Sequence, residues 1–235
     1  MGKFRKGLSD GVPIALGYIM VSLTFGVMAV SQGLSSVQAT LISASNVTSA
    51  GQFAGLSIIT DSGGLLEMAL TQLFINMRYF LMSVALSQML SPSVRTVDRL
   101  WMSFVVTDEV FAVSCTQKEP ITCKYFAGLI LLPFLGWTIG TFIGTVAAYI
   151  MPEIVVQTAD IAVYGMFLAI IVPEAKKEKP VLICILIAVL LSSAFYYIPF
   201  LQGVSSGFSI IICAVSASVI AALCFPREQK EADAV

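Results

Sequence analysis

Asn46, Thr48, Ser49 and Gln52 crowd one apolar stretch, and farther along stand Arg78 and the adjacent acids Asp108 and Glu109. These are the residues whose types and spacing could do chemistry. In hydrocarbon an unpaired polar group costs several kcal/mol, so such side chains are expected to face protein, a water-filled cavity or a bound solute. Ser45 and Phe53 border the polar group, and Gly51 and Gly55 allow close helix approach or a local break whose freed N–H and C=O groups could hold a ligand. The bland alternative is a small-residue packing face whose hydroxyls bond back to their own helix.

Arg78 closes a second pattern. Glu67, Thr71, Phe74 and Arg78 recur at intervals of four, three and four, which on a helix places Glu67 and Arg78 on one face about 16 Å apart. They share that face without touching. Gln72 and Asn76, at i and i+4, form another polar pair. A charged Arg at membrane depth costs from about 2.5 to over 10 kcal/mol, so Arg78 is expected to have a partner or to line an aqueous cavity; snorkelling to the headgroups is the alternative. Its planar fork suits a carboxylate. Asp108 and Glu109, two like charges in low dielectric, could carry a proton, could partner Arg78, or could cap a loop and face water. Glu67 is the next proton-coupling candidate.

The elements that position these groups are apolar and long. The 235 residues are 57% hydrophobic and 11% charged, with no histidine, and mean hydropathy is +0.92. That composition belongs to an all-α, polytopic integral membrane bundle in a lipid bilayer, arranged as one domain over residues 1–235. Without histidine, His-containing triads, HExxH zinc sites and haem or copper sites are excluded. No P-loop occurs. An enzyme is not expected, nor a cofactor, a metal site or nucleic-acid binding. Cys115, Cys123, Cys184, Cys213 and Cys224 lack CxxC spacing and are expected to be buried thiols.

Eight apolar runs can be marked, at residues 11–31, 37–59, 63–90, 100–115, 125–150, 161–172, 181–199 and 204–225. Lys3, Arg5 and Lys6, the 118–124 connection, PEAKKEKP with Lys176, Lys177 and Lys179, and Arg227 with Lys230 are expected in the cytoplasm. The intervening MPEIVVQT and PFLQGVSS carry no Lys or Arg and fall outside. Both termini, 1–8 and 226–235, are then cytoplasmic tails and the number of crossings is even. Eight simple spans place Arg95 and Arg99 outside, against that bias, whereas six crossings with two broken or re-entrant elements return them inside. Eight is the narrow preference.

An echo between Val37-Gln38-Ala39-Thr40, followed by Gly51-Gln52-Phe53, and Val156-Gln157-Thr158-Ala159, followed by Gly165-Met166-Phe167, suggests a weak internal repeat. PIALGYIMVSLTFGVMA from Pro13, SAGQF ending at Phe53, INMRYFLMS around Arg78 and TDEVFAV from Thr107 together resemble the AzlC family of branched-chain amino acid permeases. The resemblance is strongest from Gly11 to Val113. It implies a cell-membrane exporter of valine, leucine, isoleucine or other hydrophobic amino acids, working with a small membrane partner of the AzlD family. A polar path with one Arg and several acids suits a zwitterion. Ser45, Asn46, Thr48, Ser49, Gly51, Gln52, Phe53, Asn76 and Arg78 are the substrate-binding candidates, and Asp108, Glu109 and Glu67 the proton-coupling ones, in a secondary transporter working by alternating access. A passive channel would use the same path without coupling, and a membrane assembly protein would not need Arg78 or Asp108.

Overall fold

The computed structural model describes residues 2–150, 168, 171–173 and 175–225. Among these there is no strand, and the chain folds as helices α1 (Lys3–Ser31), α2 (Ser36–Ser45), α3 (Ala50–Thr60), α4 (Leu65–Met89), α5 (Thr96–Phe104), α6 (Asp108–Cys115), α7 (Cys123–Ile150), α8 (Lys179–Tyr197) and α9 (Ser206–Cys224). Five of them, α1, α4, α7, α8 and α9, are long and apolar enough to cross a membrane. The helices cluster in two compact units, Met1–Leu56 with Gln72–Tyr164, and Ser57–Thr71 with Gly165–Val235.

In the first unit α1 and α7 form a parallel pair. Gly7 lies against the Tyr125 carbonyl, Gly11 against that of Leu129, and Gly26 against that of Thr141, so both chains ascend together. From the other side Gly128 meets Phe4, Gly140 meets Ser22 and Ile19, and Gly144 meets the Leu23 carbonyl. A Cβ at any of these glycines would fall inside contact distance of the facing helix. Without a hydrophobic force between helices in lipid, close backbone approach of this kind supplies the association.

Two elements interrupt the long helices. After α1 stops at Gly33 (φ 94°), Ser35 starts α2 with a capping box: its hydroxyl accepts from the Gln38 N–H while Gln38 reaches back. The chain leaves helix at Asn46 (φ −146°), passes Ser49 at φ 48° and resumes as α3. Likewise α5 ends at Phe104, and Thr107 caps α6, its hydroxyl accepting from the Val110 N–H. Leu90 pairs with Ile121, so α4 ends where α7 begins. Lys3 is at that end too, in an ion pair with Glu119 3.4 Å away, as is Lys6, bonded to Gln117. α5 starts and α6 finishes within a few residues of this same end, which makes α5–α6 a helical hairpin.

In the second unit α8 and α9 pack together, and the start of α9 meets the first turns of α4. The Ser206 hydroxyl donates to Asp61 Oδ2 at 2.8 Å, and the Gly207 N–H donates to Glu67 Oε1 at 2.8 Å.

These findings correct two expectations. Residues 37–59 and 100–115 are not continuous spans; each is two short helices joined by extended backbone, because small polar residues at 45–49 and Thr107 bond locally instead of continuing the helix. Residues 3–8 are helical, as the first turns of α1. The cysteines are free but none is buried: Cys115 and Cys224 are exposed and the other three partly so, since on helices this apolar a small thiol sits as readily on the outer face. The echo at 156–167 and the tail at 226–235 lie outside the described residues.

Candidate functional site

The two breaks face each other inside the first unit. Val47 from the first and Val105 and Thr107 from the second line one small cavity together with Tyr18, Val110, Ile130, Pro133 and Phe134. Around it runs a nearly closed chain of polar contacts.

On one side that chain is buried. Gln52, at the start of α3, donates through Nε2 to Ser43 Oγ at 2.6 Å and accepts the Trp137 Nε1–H at 2.8 Å. Ser43 also bonds Thr141 at 2.6 Å, and Thr141 donates back to the Trp137 carbonyl. Gln52 is 2% exposed, so both ends of its amide are committed to protein. The Trp137 ring stands edge to face on Tyr18 at 5.1 Å. The Tyr18 oxygen lies 2.6 Å from Thr107 Oγ1 and 2.6 Å from Glu109 Oε2. Phe53 packs edge to face on Phe25 at 5.4 Å.

The other side carries the charges. Arg78 pairs with Asp108 at 2.5 Å, donates to the Tyr79 hydroxyl at 3.0 Å and stacks over that ring. Tyr79 donates to the Thr48 carbonyl at 3.3 Å, and the Thr48 hydroxyl donates to Asn46 Oδ1 at 2.7 Å. Each charged partner's side chain is 42% exposed, so the pair is open on one flank. Gln72 donates to the Gly51 carbonyl at 2.7 Å and accepts from Asn76 at 3.0 Å. Asn76 Oδ1 is buried with no donor, and it faces Gly51, where a Cβ would stand 3.1 Å away.

Of the residues singled out from sequence, Asn46, Thr48, Gly51, Gln52, Asn76, Arg78, Asp108 and Glu109 all belong to this ring, with Ser49 at the turn. Ser45 does not; it is exposed and its hydroxyl bonds back to the Leu41 and Ile42 carbonyls. Glu67 belongs to the second unit, where its carboxylate caps α9. Sequence reasoning missed Tyr18, Ser43, Tyr79, Trp137 and Thr141. The signal was there for the last two: a Trp and a Thr at i and i+4 on a glycine-lined face.

The described residues contain no group of three or more Cys, Asp or Glu able to hold a metal ion. What the first unit brings together near its two backbone breaks is a guanidinium paired with a carboxylate and a buried amide oxygen without a donor.

Known proteins agree with a membrane role. A protein of Archaeoglobus fulgidus described as an uncharacterized membrane protein is 33% identical over 175 residues, covering 74% of this chain and 76% of that protein. One of Helicobacter pylori, with the same description, is 28% identical over 153 residues, 62% of this chain and 66% of its own length. No solved structure matches the chain. The family model described as AzlC protein matches residues 13–151, more than half of the chain and the whole stretch from Tyr18 to Thr141 that builds the ring, and so this chain belongs to the AzlC family.

Proposed function

We propose that this chain is the translocating subunit of a secondary transporter that exports branched-chain or other hydrophobic amino acids by alternating access, coupled to the proton gradient and assisted by a small AzlD-type partner. The observation that carries this reading is the Arg78–Asp108 pair placed where two broken helices meet. A zwitterion inserted into that pair keeps every charge compensated: its carboxylate takes the Arg78 fork and its ammonium takes Asp108, with Asn76 Oδ1 as a further acceptor. Its apolar side chain rests on Val47, Val105 or Phe134. A proton on Asp108 removes the ammonium's partner, so proton and substrate exclude each other, which is what exchange of one for the other requires.

The topology that fits has six crossings and two re-entrant hairpins. Leu90 beside Ile121 puts Arg95 and Arg99 on the side of Lys118 and Lys124, as the basic-residue bias demands. Asp61 bonded to Ser206 puts the end of α3 at the start of α9. α2–α3 then enters from outside and α5–α6 from the cytoplasm. Both termini are cytoplasmic.

The test is efflux of labelled leucine from proteoliposomes holding this chain, with and without its small partner, under an imposed pH gradient. Efflux that collapses with a protonophore and is lost in Asp108→Asn is expected. Efflux indifferent to the gradient makes the protein a passive facilitator, and no movement of any hydrophobic amino acid in either preparation rejects the reading.

A further inference from the structure

A second, larger cavity opens beside the first. About 870 Å³ in volume, it is lined by the α1 N-terminal residues Lys3, Lys6 and Asp10, by Val113 and Gln117 at the end of α6, and by Tyr125 of α7, among others. Three lysines, Lys3, Lys6 and Lys118, edge it, which puts it on the cytoplasmic face. The cavity at the helix breaks is only about 10 Å³, at the lower limit for one water molecule.

Both cavities are bounded by the same three helices at successive heights. On α1 the large chamber reaches Pro13 and the small cavity begins at Tyr18. On α6 it reaches Val113 and the small cavity begins at Val110. On α7 the corresponding residues are Tyr125 and Ile130. At 1.5 Å per residue these offsets amount to about 5 to 8 Å, the thickness of one layer of side chains. On α1 and α7 the apolar core residues Ile14 and Leu129, 7% and 0% exposed, fall within those offsets, and on α6 Val110, 1% exposed, is the small cavity's wall nearest the chamber.

We propose that Ile14, Val110 and Leu129 are the cytoplasmic gate of the transport path, a single apolar layer between an open entrance chamber and the site at the helix breaks. This rests on the transport reading above. The present conformation is then the empty one, with the chamber open, the gate shut and the binding space collapsed. Val110 sits on the re-entrant hairpin, three residues from Thr107 and two from Asp108. A movement of α6 that opened the gate would therefore also move the acid paired with Arg78, which ties entry of substrate to remaking of the ion pair.

The experiment is thiol accessibility in a background without the native cysteines, in inside-out membrane vesicles, with a membrane-impermeant methanethiosulfonate reagent. Ser9→Cys in the chamber reacts, and Val47→Cys beyond the layer is protected. Adding Val110→Ala, or separately Leu129→Ala, speeds reaction at Val47→Cys by about tenfold, the worth of one or two buried methyl groups, and leaves the rate at Ser9→Cys unchanged. Either variant alone suffices if the other does not reach the membrane. Val47→Cys reacting as fast as Ser9→Cys with the layer intact overturns the gate, and so does protection that survives both truncations. Labelling needs no substrate, so a gated response without amino acid flux would leave the gate standing and reject the transport reading, while flux with ungated labelling would do the reverse.

Discussion

Gln52 and Trp137 offer the sharpest test of the ring, because both ends of their bond are buried and neither Gln52 Oε1 nor Trp137 Nε1 has a second partner among the contacts described. Gln52→Leu removes the acceptor of the Trp137 Nε1–H, and Trp137 is 1% exposed. A buried donor left without an acceptor costs about 1–3 kcal/mol, and the lost donation to Ser43 adds about 1 kcal/mol. Ser43 keeps Thr141 as a partner, so the total is about 2–4 kcal/mol, or about 4–16 °C in Tm for a chain of this size. Trp137→Phe leaves Gln52 Oε1 unpaired and loses part of the indole packing. Combined, the two changes leave no orphaned group between them, so the double variant should be more stable than the sum of the singles by about 1–2 kcal/mol. Thermal unfolding in detergent, followed by the helical circular dichroism signal, reads all four proteins. Strictly additive shifts would show that Gln52 does not hold Trp137, and the brace between α2, α3 and α7 would have to be abandoned.

Tyr18→Phe keeps the ring edge on Trp137 and deletes the hydroxyl that meets Thr107 and Glu109, so leucine efflux in proteoliposomes should fall by about tenfold, the value of one charge-assisted hydrogen bond; undiminished efflux rejects a role for that hydroxyl. Arg78→Ala leaves Asp108 without its cation and should lower the amount of folded protein in the membrane, while Arg78→Ala combined with Asp108→Ala recovers folding without recovering transport. Membrane levels unchanged by the single substitution would mean that water or lipid headgroups satisfy Asp108. Gly144→Val drives a side chain into the Leu23 carbonyl and should abolish folding, whereas Gly17→Ala, with nothing within 4 Å, should be silent in the same thermal assay.

How much of this was visible beforehand depends on what each residue's neighbours are. The break at Asn46–Ser49 was foreshadowed because amides and hydroxyls declare themselves against an apolar background, and local bonding competes with the helix wherever they cluster. Arg78 declared itself by charge alone. Its partner was narrowed only to Asp108 or Glu109, since settling on Asp108 depends on a tertiary approach of α4 to α6 that no periodicity encodes. Tyr18 and Trp137 were invisible for the opposite reason: an aromatic in a membrane helix is ordinary, and only the hydroxyl and the indole N–H meeting buried acceptors set these two apart. The hairpin form of α5–α6 was legible only as a conflict, Arg95 and Arg99 stranded on the wrong side, and the Leu90–Ile121 pairing brings the chain before these arginines next to the start of α7.

The edge-on stacking of Trp137 against Tyr18 also gives the protein a built-in optical reporter. The chain has two tryptophans, Trp101 and Trp137, and Trp101, on α5, is 37% exposed. Replacing Trp101 with phenylalanine leaves a single indole at the meeting point of the two breaks, its N–H bonded to an amide and its ring against a phenol. Emission from that indole is blue when its surroundings are dry and shifts to the red when water enters, so opening of the proposed path would be followed in real time, without a label, in the protein's own fluorescence.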